Sequence, residues 1–197
     1  MSTAQVRRSN QERTRTTRTA LLGAARALFM EKGYARTSTP EIVHAAAVTR
    51  GALYHHFADK QGLFRAVVMQ EAAAVADEIR KRTANDEDTY AALTRGAGIF
   101  MTAMAEPGRA RLLLLDGPAV LGQAEMERID AENAALSLRE GLEAAMATGT
   151  LGQLPLRALT NLMSAMFDRA ALGVSKGDDP NDYLAAISAI FEGLRTD

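Results

Sequence analysis

Strand-type runs of Val, Ile, Thr and aromatic residues are nearly absent from this sequence, and that omission constrains the fold more than any single motif. In their place stand Ala, Leu, Met, Arg and Glu, all good helix formers, with apolar residues recurring at helical spacing. Leu21, Leu22, Ala25, Leu28 and Phe29 fall at i, i+1, i+4, i+7 and i+8, one face of a helix from about Thr17 to Lys32. Gly33 ends it. An all-α chain is expected, of about nine helices. Its 197 residues, 47% of them hydrophobic, are enough for one or two small domains with proper cores.

Several function classes drop out at once. There is no cysteine, which excludes disulfides and thiolate chemistry. The opening MSTAQVRRSNQERTRTTRT has charge but no apolar segment, so it is not a secretory signal. No run approaches the roughly 18 apolar residues of a membrane span. A cytoplasmic protein is expected.

The net charge of −1 taken alone argues against a nucleic-acid partner, but its distribution argues for one. Residues 1–65 hold 11 Lys and Arg against 4 Asp and Glu, a surplus of +7; residues 66–197 hold 12 against 20, a deficit of −8. Such asymmetry points to an interaction surface on the basic part.

The chain is expected to divide into a polar, arginine-bearing arm (1–13), flexible and disordered when free, a head (14–60) and a longer acidic body (61–197). Within the head, Ser38 and Glu41 fit a capping box, with Pro40 in the first turn of the helix they open. A short break at Ala47-Val48 leads to Thr49, an N-cap for a further helix running to about Phe57. Two short helices joined by a few residues have helix-turn-helix spacing. Asp59 caps the next helix, toward Arg82. In the body, helices are expected over about 89–105, over RARLLLL as far as Asp116-Gly117-Pro118, and over 119–147, 156–174 and 180–194.

The stretch TRGALYHHFADKQGLF, residues 49–64, concentrates polar chemistry. Metal or acid–base work by His55, His56 and Asp59 is disfavoured, because adjacent histidines on a helix point about 100° apart and cannot share a metal as an i, i+4 pair can. His44 is the remaining histidine, and no recognisable nucleophile motif accompanies it. No cofactor, metal or catalytic activity is expected. Leu53 and Phe57 suit plain packing. A DNA surface accounts for the rest. The second helix of a helix-turn-helix enters the major groove, its N-terminal residues touching base edges. Thr49, Arg50 and Gly51 stand there: Thr bonds phosphate or base, Arg engages guanine or phosphate, and Gly lets the backbone approach. Tyr54 and His55 follow one turn on, Lys60 opens the next helix, and Arg18 lies in the first.

Residues 17–68 resemble the DNA-binding domain of the TetR (tetracycline-repressor) family. The run GYARTSTPEIVHAAAVTRGALYHHFADKQGLFRAVV matches that family's Gly-Tyr, paired Thr/Ser, small-residue turn, Gly-x-Leu-Tyr-x-His-Phe and Lys-x-x-Leu-Phe in type, order and spacing. Ala47 departs from it where a turn glycine is common, and Val43 where alanine is common. The resemblance implies a homodimer of three-helix heads and helical regulatory bodies. It places Ser38, Thr39, Thr49, Arg50, Gly51, Tyr54, His55 and Lys60 at DNA-contact positions.

In the body, the resemblance implies dimerisation through the last two helices, about 156–174 and 180–194. Leu159, Leu162, Met163, Met166, Phe167 and Ala170, with Leu184, Ile187, Ile190 and Phe191, supply apolar stripes there. Part of each stripe is expected at the interface and the rest in the subunit's own core. Phe100, Met101, Met104, Met163, Met166 and Phe167 form an adaptable apolar set suited to a mostly apolar effector, or simply to a core. Arg111, Asp116, Asn161 and Asp168 are polar candidates to orient such a ligand. The expected function is a homodimeric, ligand-responsive transcriptional regulator of a palindromic operator, most often a repressor in this family. The alternative is a helical small-molecule-binding protein with no specific operator.

Overall fold

The computed structural model describes residues 3–196, with side chains from Glu12 onward. Helix α1 spans Thr3–Lys32 and so begins well ahead of the expected Thr17. No Gly or Pro interrupts Thr3 to Leu22, and Gln, Glu and Arg are good helix formers, so nothing local stops the helix. Most of the expected arm, from residue 3 on, is therefore written as helix; residues 1 and 2 lie outside the described residues.

The chain divides into two compact units, Met1–Met69 and Gln70–Asp197. The expected boundary at residue 60 coincides with the start of α4 (Lys60–Thr83), but the units part inside that helix. The reason is burial: Leu63, Phe64, Val67 and Val68 on the first turns of α4 all belong to the head's core.

That core also takes Leu21, Leu22, Ala25 and Phe29 from α1, Ile42 from α2 (Thr39–Ala45), and Leu53 from α3 (Arg50–His56), with Phe57 just beyond it. Phe29, Tyr34 and Phe64 cluster edge-on and tilted, with Phe64 5.1 Å from Phe29 and 4.9 Å from Tyr34 between ring centroids.

The second unit contains α5 (Thr89–Met104), α6 (Arg109–Arg111), a π-helical turn (Leu112–Asp116), α7 (Gly117–Leu121), α8 (Gln123–Ala131), α9 (Ala134–Ala147), α10 (Leu156–Val174) and α11 (Pro180–Glu192). Its core joins Leu93, Ala97 and Met101 to Leu142 and Met146, Met163 and Phe167, and Ile187 and Phe191. One buried cation is fully matched: Arg109 donates to Glu71 at 2.8 Å and to the Ala103 carbonyl at 2.6 Å, and also pairs with Glu106.

Two expectations fail here. The stop at Asp116-Gly117-Pro118 does not occur, because the Gly117 N–H reaches back to the Leu112 carbonyl in a π turn. Pro118 is thereby left in the first turn of α7, where its missing N–H costs nothing. The single helix over 119–147 is instead α8 and α9, with Gly122 at φ +89° before α8. Between the two helices the Asn133 amide bonds the Ile129 carbonyl at 2.6 Å, drawing the backbone out of helix. Among the described residues there is no strand, and no helix is long and apolar enough to cross a membrane.

Candidate nucleic-acid interface and body cavities

Helix α2 opens on the expected capping box. The Ser38 N–H donates to the Glu41 carboxylate at 2.8 Å, and the Glu41 N–H donates to the Ser38 hydroxyl at 3.4 Å. Lys32 closes on the same carboxylate at 2.9 Å, tying the end of α1 to the start of α2. Bonds from Lys32 and Ser38 hold the Glu41 carboxyl down at about 2.

The turn into α3 is a Schellman closure. The Ala47 N–H bonds the His44 carbonyl at 3.1 Å and the Val48 N–H bonds that of Val43 at 3.0 Å. Ala47 takes the left-handed position, φ +52°, and is the only non-glycine with positive φ among the described residues. Thr49 then caps α3, accepting from the Ala52 N–H at 3.1 Å.

With Leu53 and Phe57 buried, α3 turns Thr49, Arg50, Gly51, Tyr54 and His55 to the surface. The Arg50 guanidinium lies 5.5 Å from the Tyr54 ring centroid, an i, i+4 stack that restrains both side chains. Arg18 is exposed, with its guanidinium 4.6 Å from the Phe57 ring centroid. Ser38 is exposed and Thr39 half-buried. The His55 and His56 rings meet edge-on at 5.3 Å. Burial, then the charges of His55 and Arg18, push His56 below the ordinary histidine range. Among the described residues no three His, Cys, Asp or Glu side chains group as metal ligands.

Lys60 stands apart from the other expected contacts. It is half-buried, and its ammonium donates to the Tyr34 and Thr37 carbonyls at 3.0 and 2.9 Å while lying 3.9 Å from the Tyr34 ring centroid. Two of its three N–H groups therefore hold the α1–α2 turn. The buried Thr37 hydroxyl bonds the Gly33 carbonyl at 2.8 Å in the same turn.

The second unit holds two cavities of about 240 and 190 Å³. They share Phe100, Asp130 and Ala134 as a common wall. Ser137, Ser164, Leu93 and Phe167 line the larger; Met104, Leu113, Met126 and Asp168 line the smaller. The π turn supplies Leu113 and Leu114 to that smaller wall. Gly117 fits close behind it, since a Cβ there would sit 2.9 Å from Met126 Cε. Ser164 donates to Asp130 at 2.7 Å. Burial, then the nearby Asp130 charge, pushes the Asp168 carboxyl up to about 7.

Residues 21–67 match the model for bacterial regulatory proteins of the tetR family, and residues 90–196, over half the chain, match the tetracyclin repressor-like C-terminal domain. The chain belongs to the TetR family. It is 31% identical to a TetR-family transcriptional regulator from Pectobacterium atrosepticum, whose crystal structure aligns at a TM-score of 0.75 over 94% of this chain and 97% of that one. The Transposon Tn10 TetC protein of Escherichia coli is 26% identical over 184 residues, 93% of each chain. HTH-type transcriptional regulator UidR of Escherichia coli (strain K12) is 39% identical over 61 residues, 31% of each.

This TetR-family chain is thus a DNA-binding transcriptional regulator, not an enzyme, with a helix-turn-helix head and a body of the effector-binding, dimerising kind. Of the six residues read as an adaptable apolar set, Phe100, Met104 and Phe167 reach cavity walls. Met101 and Met163 are buried in the core, and Met166 packs against it. Of the polar candidates, Asp168 lines the smaller cavity, Asn161 is exposed, and Arg111 faces Asp116 at 3.9 Å. Asp130, Ser137 and Ser164 carried no sequence signal, because isolated polar residues on amphipathic helices are ordinarily solvated. Only the packing of α8, α9 and α10 shows that these three line cavity walls.

Proposed function

We propose that the protein is a homodimeric repressor, working where the cytoplasmic DNA is, that holds a palindromic operator and releases it when a small, mostly apolar effector enters the body. The observation that carries this reading is the two-sidedness of α3. Leu53 and Phe57 lock one face into the core, while Thr49, Arg50, Gly51, Tyr54 and His55 are presented together on the other. Arg50 and Tyr54 are assigned to base edges and neighbouring phosphates. Thr49, His55, Ser38, Thr39 and Arg18 flank the groove, and Lys60 makes one phosphate contact from its anchored position. The +7 charge of residues 1–65 supplies long-range attraction.

The dimer is assigned to α10 and α11. The apolar stripes there split as their burial divides: Met163, Phe167, Ile187 and Phe191 are buried in the subunit's own core, while Leu162 is 72% and Ile190 47% exposed. A two-fold pair of heads suits half-sites about 34 Å apart on B-DNA. Helix α4 is the coupling element, since it contributes to both compact units and its Ala72, Val75 and Ile79 line the cavities. A coupling of about 1–3 kcal/mol between effector and operator gives about a 5- to 150-fold change in affinity.

The test is selection of bound duplexes from random DNA by the full chain at physiological salt. An enriched palindrome, preferred about 10³-fold or more over random duplex, is expected. Weak, salt-sensitive binding without enrichment would favour a helical ligand-binding protein with no specific operator.

A further inference from the structure

The two cavities are mostly apolar, yet the wall they share carries Asp130, and Asp168 lines the smaller cavity beside it. Neither carboxylate draws stabilisation from an arginine or lysine among the described residues. The Ser164 hydroxyl and the Ala135 backbone N–H both bond Asp130, and the main source of perturbation at both acids is burial. Arg80, at the edge of the larger cavity, is exposed and already held by Asp77. A polar group lies in the same wall: Ser137 on α9 is among the residues lining the larger cavity, and its hydroxyl oxygen is wholly buried with no hydrogen-bond partner. Buried polar groups are ordinarily satisfied. Two neighbouring acids without a countercharge and a hydroxyl without a partner therefore describe what is missing: a positive charge with N–H donors, carried on an apolar frame.

We infer that the effector is an amphiphilic cation, an apolar body of the larger cavity's size bearing an ammonium or amidinium group that Asp130 and Asp168 receive and Ser137 helps to orient. This rests on the reading that the body cavities hold the effector, and it narrows "mostly apolar" to a charge class. An anionic ligand meets two uncompensated carboxylates, and a neutral one leaves them as they are.

Three probes of matched shape separate the possibilities: phenylbutylamine, phenylbutanol and phenylbutyrate, titrated calorimetrically into the full-length protein, with operator release followed in parallel. The amine is expected to bind about 10- to 100-fold more tightly than the alcohol, with the carboxylate weakest. In the double variant D130N/D168N, checked for folding by its melting temperature, the amine's advantage should fall to about 3-fold or less. The exposed Glu143, which lines neither cavity, serves as the control, and E143Q should leave that advantage intact. The inference is overturned if the alcohol or the carboxylate binds as tightly as the amine. It is also overturned if the preference survives in the double variant, or if none of the three binds at about 1 mM. Release of the operator by the neutral or anionic probe alone would keep the regulatory reading and remove the cation. Selective binding of the amine with no release would keep the cation site and remove the regulatory reading.

Discussion

Ala47 carries a φ of +52° in the turn between α2 and α3, a conformation in which a Cβ crowds its own backbone. The residue is exposed, so its methyl packs against nothing that glycine would forfeit. Ala47→Gly should therefore raise the unfolding free energy by about 0.5–1 kcal/mol, relief of strain outweighing the extra freedom of the unfolded chain. A lower denaturant midpoint in the variant would show that the turn is not strained. Gly51 presents the opposite case: a Cβ added there would meet only the Thr49 hydroxyl, at 3.9 Å. Nothing inside the head requires glycine, so Gly51→Ala should stabilise α3 by up to about 1 kcal/mol while weakening operator binding. Unchanged DNA affinity would take Gly51 out of the interface. Arg50 and Lys60 should separate in the same way. Arg50→Ala loses a side chain that leans only on Tyr54, so affinity and sequence choice should suffer, by about 1–3 kcal/mol, with stability unchanged. Lys60→Ala breaks two bonds to the carbonyls of Tyr34 and Thr37 and should cost the head about 1–3 kcal/mol of stability as well as a phosphate contact. Equal melting temperatures for the two variants would refute that division.

At the level of elements, legibility followed how local each signal was. Ser38 with Glu41, Thr49 before Ala52, and Asp59, whose carboxylate accepts from the Gly62 N–H at 2.7 Å, act within one turn of themselves, and all three helix starts were readable from residue type and spacing. Helix α10, Leu156–Val174, has no side-chain cap and was readable instead from Pro155 before it and its apolar period. The π turn was not, because Pro118 and Gly117 are ordinary breakers until the Gly117 N–H is given Leu112 to reach. Nor was the interior role of Lys60, which depends on a turn 23 and 26 residues away. The acidic pair on α8 and α10 belongs to the same class: Asp130 and Asp168 become a pair only when those helices pack. Burial raises Asp168 first, the charge of Asp130 second, to about 7. An acid whose folded value is raised contributes stability at low pH, and that contribution is lost as pH climbs through the folded value. The body should therefore weaken between about pH 4 and pH 7 through this group, by about 1–3 kcal/mol. Asp168→Asn should raise stability modestly at pH 5, where about a third of the cost is already present, and by more at pH 8. Thermal melts at those two pH values check it, and an equal gain at both would mean that the carboxylate is not desolvated in the fold.

For the whole molecule, the proposed dimer gives the charge division and the exposed apolar pair on α10 and α11 one shared requirement, holding two basic heads together on a polyanion. One head alone offers a few base contacts and a surplus of +7 over residues 1–65, enough for salt-sensitive attraction but little discrimination. Joining two heads makes the second docking intramolecular, which multiplies affinity by about 10²–10⁴ when the spacing fits. Leu162, at 72% exposed, and Ile190, at 47%, are the large apolar side chains that α10 and α11 leave outside the subunit's own core. Replacing both by glutamate places like charges opposite one another across a two-fold axis while removing little from the interior. The double variant L162E/I190E should sediment as a monomer, keep a melting transition of similar cooperativity, and bind its operator about 10²- to 10⁴-fold more weakly. Its binding to a single half-site should match that of the unmodified chain, because Leu162 and Ile190 belong to the body and the recognition helix is untouched. A variant that still sediments as a dimer would move the interface away from α10 and α11. A monomer that keeps full operator affinity would show that the two heads do not act together on DNA.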